Sequence, residues 1–241
     1  EIQARDDVVA FVFGDGFQDL VMMKSTDAGD TWTKTVIYET PFPQWDPNAQ
    51  FETEIFYCSD GAHALAIDAN GMVHVAFGIN YTYSDGAGTF WNWTVDGVGY
   101  WNESRPTFTN SFTALSPIPE WEDSELERDY SLVAWSQDLD GDDTATFFED
   151  AGLYYIGASS MPSIHVDDQG RVFLVYSSIT ETFNNGAQNF RHIWARTANN
   201  YGEFWGDFVD LTGDLIHIFD ECVFPSISQT SDDYIYINYQ Y

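Results

Sequence analysis

The chain has 241 residues, of which 39 are Asp or Glu and only 8 are Lys or Arg, so its formal net charge is −31. A charge of this sign excludes binding to a phosphate backbone or to an anionic membrane surface, because both need clustered cations. Aromatic residues make up 17% and apolar residues 44% of the sequence, whereas disordered acidic chains are poor in both. We therefore expect a folded, strongly acidic protein without a nucleic-acid partner and without direct membrane insertion.

The apolar pattern has a period of two rather than 3.6, which predicts short β-strands separated by tight turns. Residues 73–77, 171–176 and 234–239 are rich in β-branched and aromatic side chains and are bounded by Asp, Asn and Gly. Only residues 120–129 could form a short surface helix. The sequence therefore predicts an all-β fold.

The first recurring element in chain order is a turn at residues 25–32, with the pattern Ser-x-Asp-x-Gly-x-Thr-Trp. Its fixed positions are Ser25, Asp27, Gly29, Thr31 and Trp32. A degenerate copy at residues 198–205 keeps Asn200, Gly202 and Trp205 at the equivalent positions. Strand-like segments flank both copies.

The second recurring element is a hairpin. Residues 64–77 align without a gap on residues 163–176: apolar alternation, Asp-x-x-Gly, then apolar alternation. A more divergent copy spans residues 225–239. The Asp bonds to its own turn and the Gly supplies a positive φ. A hairpin followed by a strand, a turn and a strand makes a four-stranded unit, and radial repetition of such units makes a β-propeller.

The turn at residues 25–32 resembles the Asp-box of the bacterial neuraminidase repeats, found in sialidase-like β-propellers. The resemblance implies that Asp27 caps the turn and Trp32 packs between blades, with Asn200 and Trp205 doing so less well. We expect residues 1–241 to form one propeller domain or a fragment of one. It would comprise a half blade, an elaborated blade, an irregular acidic insert at about 104–160, a blade at about 161–212 and a final half blade.

Residues 60–66, 99–103 and 219–225 carry a second resemblance, to long secreted proteins of Bacteroidota with a C-terminal sorting domain for type IX secretion. It implies a secreted or cell-surface location. The chain begins without Met and stops within a strand-like pattern, which is typical of an incomplete or fragmentary chain.

The sialidase resemblance would require three arginines that hold a substrate carboxylate. No Arg-Ile-Pro motif is present, although a clamp from Arg105, Arg128, Arg171, Arg191 or Arg196 stays open. Hydrolysis by two carboxylates also stays open, because 39 acids guarantee some suitable pairs. We expect a non-catalytic structural or interaction module with a protein or glycan partner, or other chains of a surface assembly. The alternative is a sialidase-like glycoside hydrolase or a glycan-binding propeller.

Aromatic residues are dense at residues 90–93 and at Tyr100 and Trp101. Exposed aromatic faces would stack on sugar rings, whereas buried ones would fill the space between blades. These aromatic residues could therefore bind a sugar or fill the core, and the core interpretation is favoured.

Alternating carboxylates at Asp138, Asp140, Asp142 and Asp143 resemble the opening of a calcium loop, which Glu149 or Asp150 could close. The alternative is an acidic hairpin turn without a metal.

Three short patterns concern covalent chemistry. Cys58 and Cys222 could form one disulfide or remain reduced in the core. Asn80, Asn92 and Asn102 fit the Asn-x-Ser/Thr glycosylation pattern, and Thr144 fits a short O-glycosylation pattern of Bacteroidota exports.

Overall fold

The computed structural model describes residues 1–42, 46, 51–118, 124–147 and 154–241. Regular structure within them is almost entirely β-strand, as predicted. One four-residue helix, Glu125–Arg128, begins after Ser124, whose hydroxyl accepts a hydrogen bond from the Glu127 amide. Residues 120–123 of the predicted helix lie outside the described residues. None of the helical structure seen in the described ranges is long and apolar enough to cross a membrane.

The first sheet pairs four antiparallel strands in chain order. They are β1 (Ile2–Arg5), β2 (Val8–Phe13), β3 (Leu20–Ser25) and β4 (Thr33–Tyr38). The inward side chains of Ala10, Val12 and Met22 are almost fully buried. These four strands form a complete blade, so the prediction of a half blade at the start is wrong. The short first strand carries polar residues and is only partly buried.

The second sheet pairs its strands in the order β5, β6, β8 and β9, and β7 pairs with the far end of β6. The strands are β5 (Phe56–Ile67), β6 (Val73–Ser84), β7 (Thr89–Asn92), β8 (Val98–Asn102) and β9 (Leu132–Ala134). Because β6 has 12 residues, its hairpin with β7 extends beyond the rest of the sheet. The outermost strand, β9, comes from the predicted insert at 104–160.

The third sheet repeats this order, and the fourth has two strands. The third contains β10 (Ser159–Val166), β11 (Val172–Asn184), β12 (Asn189–Asn199), β13 (Phe204–Trp205) and β14 (Val209–Asp210). The fourth contains β15 (Val223–Ile227) and β16 (Ile237–Gln240). The blade predicted at about 161–212 and the final half blade are confirmed.

The register of the first hairpins confirms the alignment of residues 64–77 with 163–176. Leu65 pairs with Val75 in the second sheet, and the aligned Ile164 pairs with Leu174 in the third. In each turn the Asp carboxylate accepts hydrogen bonds from amides two and four residues later. The repeated sequence therefore produces a repeated hairpin.

The first strands of successive sheets lie side by side around a common axis. A guanidinium nitrogen of Arg5 in β1 donates to the Ile67 carbonyl in β5, and Ser160 in β10 donates to Asp60 in β5. The fold is a β-propeller. We call the end that holds the β2–β3, β6–β7 and β11–β12 loops the upper face. The end that holds the turn of the first hairpin of each sheet, together with the turn at 25–32, is the lower face.

Apolar side chains fill the space between neighbouring sheets, where burial of a large apolar side chain contributes about 1.5–3 kcal/mol. The first two sheets enclose the largest cluster, which includes Leu20, Leu65, Phe77 and Trp101. The second and third sheets enclose Ala76, Tyr100, Ile164, Tyr176 and Trp194. The third and fourth enclose Val175, Ile193, Cys222 and Ile227.

Candidate functional site

Arg191 lies near the upper end of β12 and is only 2% exposed. Its guanidinium nitrogens donate to the carbonyls of Ala158 and Gly157, each at 3.0 Å, and the group lies 5.8 Å from the centroid of the Tyr154 ring. Burial lowers the pKa of Arg191, and nearby carboxylates oppose this effect. Arg191 therefore joins the third sheet to the connection that leads from the second sheet.

Three carboxyl groups, those of Asp60, Asp96 and Glu221, are close enough to Arg191 to interact with its charge. Burial raises the pKa of all three carboxyls, while hydrogen bonds and the charge of Arg191 act in the opposite direction. The upper face thus contains a buried cation compensated by several acids, as a charge removed from water requires.

Hydrogen bonds occupy much of the acceptor capacity of these carboxyls. Asp60 accepts from the Ser160 hydroxyl at 2.5 Å and from the Gly157 amide at 3.1 Å. Asp96 accepts from both the amide and the hydroxyl of Ser136. These bonds give the acids a structural task, because they fix the connection between the second and third sheets.

A groove on the upper face is lined by aromatic residues and encloses about 470 Å³. We call it the aromatic groove; its lining residues are Trp91, Asn92, Trp93, Thr94, Phe147 and Ala158. Trp93 and Phe147 pack against the buried pair Ala158 and Ile179. Trp91 remains 41% exposed. It also packs against Gly16, where a Cβ atom would overlap the indole.

The predicted sugar-binding aromatics divide into two groups. Phe90 and Trp91 are 43% and 41% exposed, so their rings remain accessible. Tyr100 and Trp101 are buried between sheets, as the core interpretation predicted. The difference arises because β7 lies on the extended hairpin, whereas β8 lies within the packed sheet.

The acidic loop, residues 138–146, lies beside this groove. It brings one carboxylate oxygen of each of Asp138, Asp140 and Asp142 within 4.8 Å of one another, and all three residues are exposed. Asp143 does not join this group. Its amide donates to Asp138, and its backbone has a φ of 70°. Glu149 and Asp150, considered as closing ligands, lie outside the described residues. Calcium binding stays a prediction.

The turn at residues 25–32 has the hydrogen bonds expected of an Asp-capped turn. Asp27 accepts from the Thr31 amide at 2.8 Å and from its hydroxyl at 2.6 Å, and Ser25 Oγ accepts from the Gly29 amide at 2.8 Å. The bonds from Thr31, followed by that from Ser25, lower the pKa of Asp27 to about 2. The packing predicted for Trp32 between blades is wrong. Its ring lies 5.2 Å from that of Phe11 in the same sheet.

In the degenerate copy at residues 198–205 the turn is not capped by a side chain, but the tryptophan packs between sheets. The Asn200 side chain donates to the Glu203 carboxylate and does not cap the turn, so this part of the prediction is wrong. Asn200 and Gly202 bound a short 3-10 turn with positive φ values. Trp205 lies 5.3 Å from Tyr100, ring centroid to ring centroid, and therefore packs between the second and third sheets. Membership of the Asp-box family stays a prediction.

The disulfide considered between Cys58 and Cys222 is not formed. Both are free, buried thiols. Cys58 belongs to the core between the first and second sheets, and Cys222 to the core between the third and fourth. Equivalent positions in two blades thus place the thiols in different inter-sheet cores.

Two of the three candidate glycosylation asparagines are buried. Asn80 is 0% exposed and Asn102 is 2% exposed, and both side chains are hydrogen bonded. The prediction for these two is therefore wrong, because their pattern falls on packed strands. Asn92 is partly buried and accepts from Thr94, whereas Thr144 is exposed on the acidic loop. For Asn92 and Thr144, glycosylation stays a prediction.

The arginines considered for a carboxylate clamp are engaged at separate places. Arg105 and Arg191 donate to backbone carbonyls at the lower and upper faces respectively. Arg128 and Arg171 pair with acidic neighbours, and Arg196 packs over an aromatic ring at 4.1 Å. A three-arginine clamp is therefore not formed.

A larger cavity, of about 830 Å³, follows the outer edge of the second sheet. Its charged residues include Asp96 and Arg196. Asp96 is bonded to Ser136, and Arg196 donates to the carbonyls of Gly206 and Val133. The cavity is also lined by Glu127 and Glu203. Because Asp96 and Arg196 are already paired, we take the aromatic groove as the candidate ligand site.

No protein-family model matches the chain, and no curated protein is significantly similar to it. Among solved structures it is similar to an α-L-arabinanase of Cellvibrio cellulosa, with 12% identity, a TM-score of 0.36, and coverage of 98% of this chain and 66% of that chain. It is also similar to the native arabinanase of Bacillus subtilis, with 14% identity, a TM-score of 0.30, and coverage of 88% and 54%. An intramolecular trans-sialidase from Ruminococcus gnavus gives 14% identity, a TM-score of 0.26, and coverage of 95% and 51%. The chain thus spans 66% of the first of these chains and about half of the other two. Similarity of this degree does not bear on a shared activity.

Proposed function

We propose that this chain is a non-catalytic carbohydrate-binding propeller module and that the aromatic groove is its ligand site. The observation that carries the proposal is the arrangement of Trp91, Trp93 and Phe147 around one cavity of about 470 Å³. Cavities of roughly 300–1,000 Å³ lined by aromatic side chains are typical of small-molecule sites. The apolar faces of sugar rings can stack on such aromatic surfaces.

The expected ligand is a neutral sugar. Among the described residues that line the groove, none is a cation. The acidic loop lies beside it, and the whole chain carries a formal charge of −31. An acidic sugar would therefore meet like charges without a guanidinium to pair with its carboxylate.

Glycoside hydrolysis is the second candidate, and the carboxyls around Arg191 favour it. A general acid needs a raised pKa, and burial raises the pKa of Asp60, Asp96 and Glu221. However, hydrogen bonds to the protein already engage these carboxyls, which supports a structural role. We therefore place binding ahead of hydrolysis.

A panel of glycans tests the proposal. Wild-type protein is titrated with neutral arabinan, galactan and xylan oligosaccharides and with acidic sialyllactose, followed by calorimetry and tryptophan fluorescence. We expect binding of at least one neutral glycan and none of sialyllactose. Release of new reducing ends would favour the second candidate, and failure of every glycan to bind would overturn the proposal.

The proposal includes a secreted or cell-surface location, where such a glycan partner or a surface assembly would be met. It also includes Ca²⁺ as a stabilising ligand of Asp138, Asp140 and Asp142. A ligand that binds only the native state raises the melting temperature. Equal melting temperatures in excess Ca²⁺ and in chelator would contradict the calcium prediction, and Asp140→Asn should abolish any difference.

A further inference from the structure

Glu181, near the upper end of β11, holds both ends of the acidic loop. One carboxylate oxygen accepts from the Leu139 amide at 2.8 Å, and the other accepts from the Thr146 amide at 2.7 Å and its hydroxyl at 2.9 Å. Glu181 is only 2% exposed. A buried carboxylate persists because such donors replace its hydration, so these bonds are difficult to exchange for water.

The loop between these two anchors is internally bonded. Asp138 accepts from the amides of Gly141 and Asp143 at 2.7 Å and 2.8 Å. Asp142 accepts from the Thr144 amide at 3.0 Å. These bonds brace the loop internally, and Glu181 attaches both of its ends to β11.

Phe147 follows Thr146 directly and provides one wall of the aromatic groove. Its ring packs with Trp93 against Ala158 and Ile179. Because the ring belongs to the residue next to the anchored amide, a displacement of Thr146 also displaces the wall. Glu181 itself is not among the residues that line the groove.

We propose that Glu181 is a positioning residue for ligand binding: it tethers the acidic loop and so fixes Phe147 in the lining of the aromatic groove, together with Trp91 and Trp93. This inference rests on the proposed function, and it assigns a task to a buried acid outside the Arg191 cluster. Loss of the tether widens the groove and weakens stacking on a neutral sugar.

The first test is structural and needs no ligand. Hydrogen exchange is measured at the amides of Leu139 and Thr146 in wild-type protein, Glu181→Ala and Glu181→Gln. The exposed Glu39 provides the control Glu39→Gln. Glu181→Ala should remove protection at both amides, and Glu181→Gln should remove it in part, since an amide offers one acceptor oxygen. Full protection in Glu181→Ala would overturn the tether.

The second test measures affinity for the best neutral glycan by calorimetry. Glu181→Ala should weaken binding about tenfold, as loss of a stacked aromatic wall would. Phe147→Ala should have the same effect, and the double variant should be no weaker than Phe147→Ala alone, because both changes act through one ring. Additive losses, or wild-type affinity in Glu181→Ala, would overturn the inference.

The two proposals fail in different ways. If Phe147→Ala and Trp93→Ala both bind like wild type, or if the wild type binds no glycan, the proposed function fails. The exchange measurement then still decides whether Glu181 anchors the loop. Should Glu181→Ala not fold, Glu181→Gln keeps the shape of the side chain and allows both tests.

Discussion

The imidazole of His74 and the hydroxyl of Tyr100 form a 2.6 Å hydrogen bond in the buried space between the second and third sheets. The Tyr100 hydroxyl also donates to the Tyr201 carbonyl at 2.9 Å. The hydroxyl has a single proton, so the direction of its bond with His74 Nδ1 depends on the tautomer of the imidazole ring. The other ring nitrogen lies 3.5 Å from a carboxylate oxygen of Asp68. This buried chain links the first hairpin of one sheet to a turn of the next.

Removing the Tyr100 hydroxyl should destabilise the fold. Tyr100→Phe leaves Nδ1 of the buried His74 imidazole without its hydrogen-bond partner, whereas the Tyr201 carbonyl keeps its bond from the Asn102 side chain. The unpaired imidazole should cost about 1–3 kcal/mol in the free energy of unfolding. The control is Tyr234→Phe, whose ring is 70% exposed and should change stability by less than about 0.5 kcal/mol. Urea denaturation measures both, and equal midpoints would contradict the role of this hydrogen bond.

The close approach of Gly202 to Tyr100 yields a second prediction. Gly202 has a φ of 88°, and a Cβ atom there would overlap the Tyr100 ring. Gly186 has the same φ of 88° but nothing within 4 Å of its Cβ position. Gly186→Ala should cost about 1–2 kcal/mol for the left-handed backbone alone. Gly202→Ala should cost clearly more, and equal losses in denaturation would show that the contact is unimportant.

The capped turn at residues 25–32 predicts a specific acid sensitivity. Bonds from Thr31 lower the pKa of Asp27 to about 2, below the ordinary value near 3.9. This carboxylate therefore stabilises the fold above about pH 4, and its contribution disappears as the pH falls through about 2. Asp27→Asn should lower the melting temperature at pH 7 and flatten its decline between these pH values. Asp30→Asn, in the same turn, is the control; an identical pH profile in both variants would contradict the cap.

The two thiols should be unreactive in the native protein. Burial raises the pKa of Cys58 well above its usual range and that of Cys222 to about 11, so little thiolate forms near neutral pH. A thiol reagent should label neither cysteine in buffer and both in denaturant, and reductant should leave the melting temperature unchanged. If the reagent labelled neither cysteine in denaturant, the two would instead be joined by a disulfide.

Local patterns predicted the parts of the fold that local hydrogen bonds determine. The Asp-x-x-Gly hairpins were aligned correctly, because Asp68 and Asp167 make the same bonds within their own turns. The cap formed by Asp27 was predictable for the same reason. In contrast, the first blade was predicted as a half blade, because β1 has only four residues and its turn to β2 lacks the Asp-x-x-Gly pattern.

The upper face could not be predicted because its members are distant in sequence. Asp60, Asp96, Arg191 and Glu221 come from different sheets and connections. The stretches that contain Asp60 and Glu221 were noted only for a family resemblance, and nothing in the sequence brings the four residues together. The turn pattern also gives Trp32 and Trp205 equivalent positions, but the two side chains pack differently. Trp205 packs between sheets, whereas Trp32 packs against Phe11 within its own sheet. Glu181 shows the same limit, since its partners Leu139 and Thr146 precede it by about 40 residues.

Calorimetric titration of two tryptophan variants with a neutral glycan tests the central claim most directly. Trp91 in the groove and Trp32 on the lower face are 41% and 38% exposed, so they form a matched pair. Trp91→Ala should weaken binding about tenfold or more, because it removes a stacking surface, and Trp32→Ala should bind like wild type. Wild-type affinity in Trp91→Ala, or an equal loss in both variants, would contradict a ligand site in the aromatic groove.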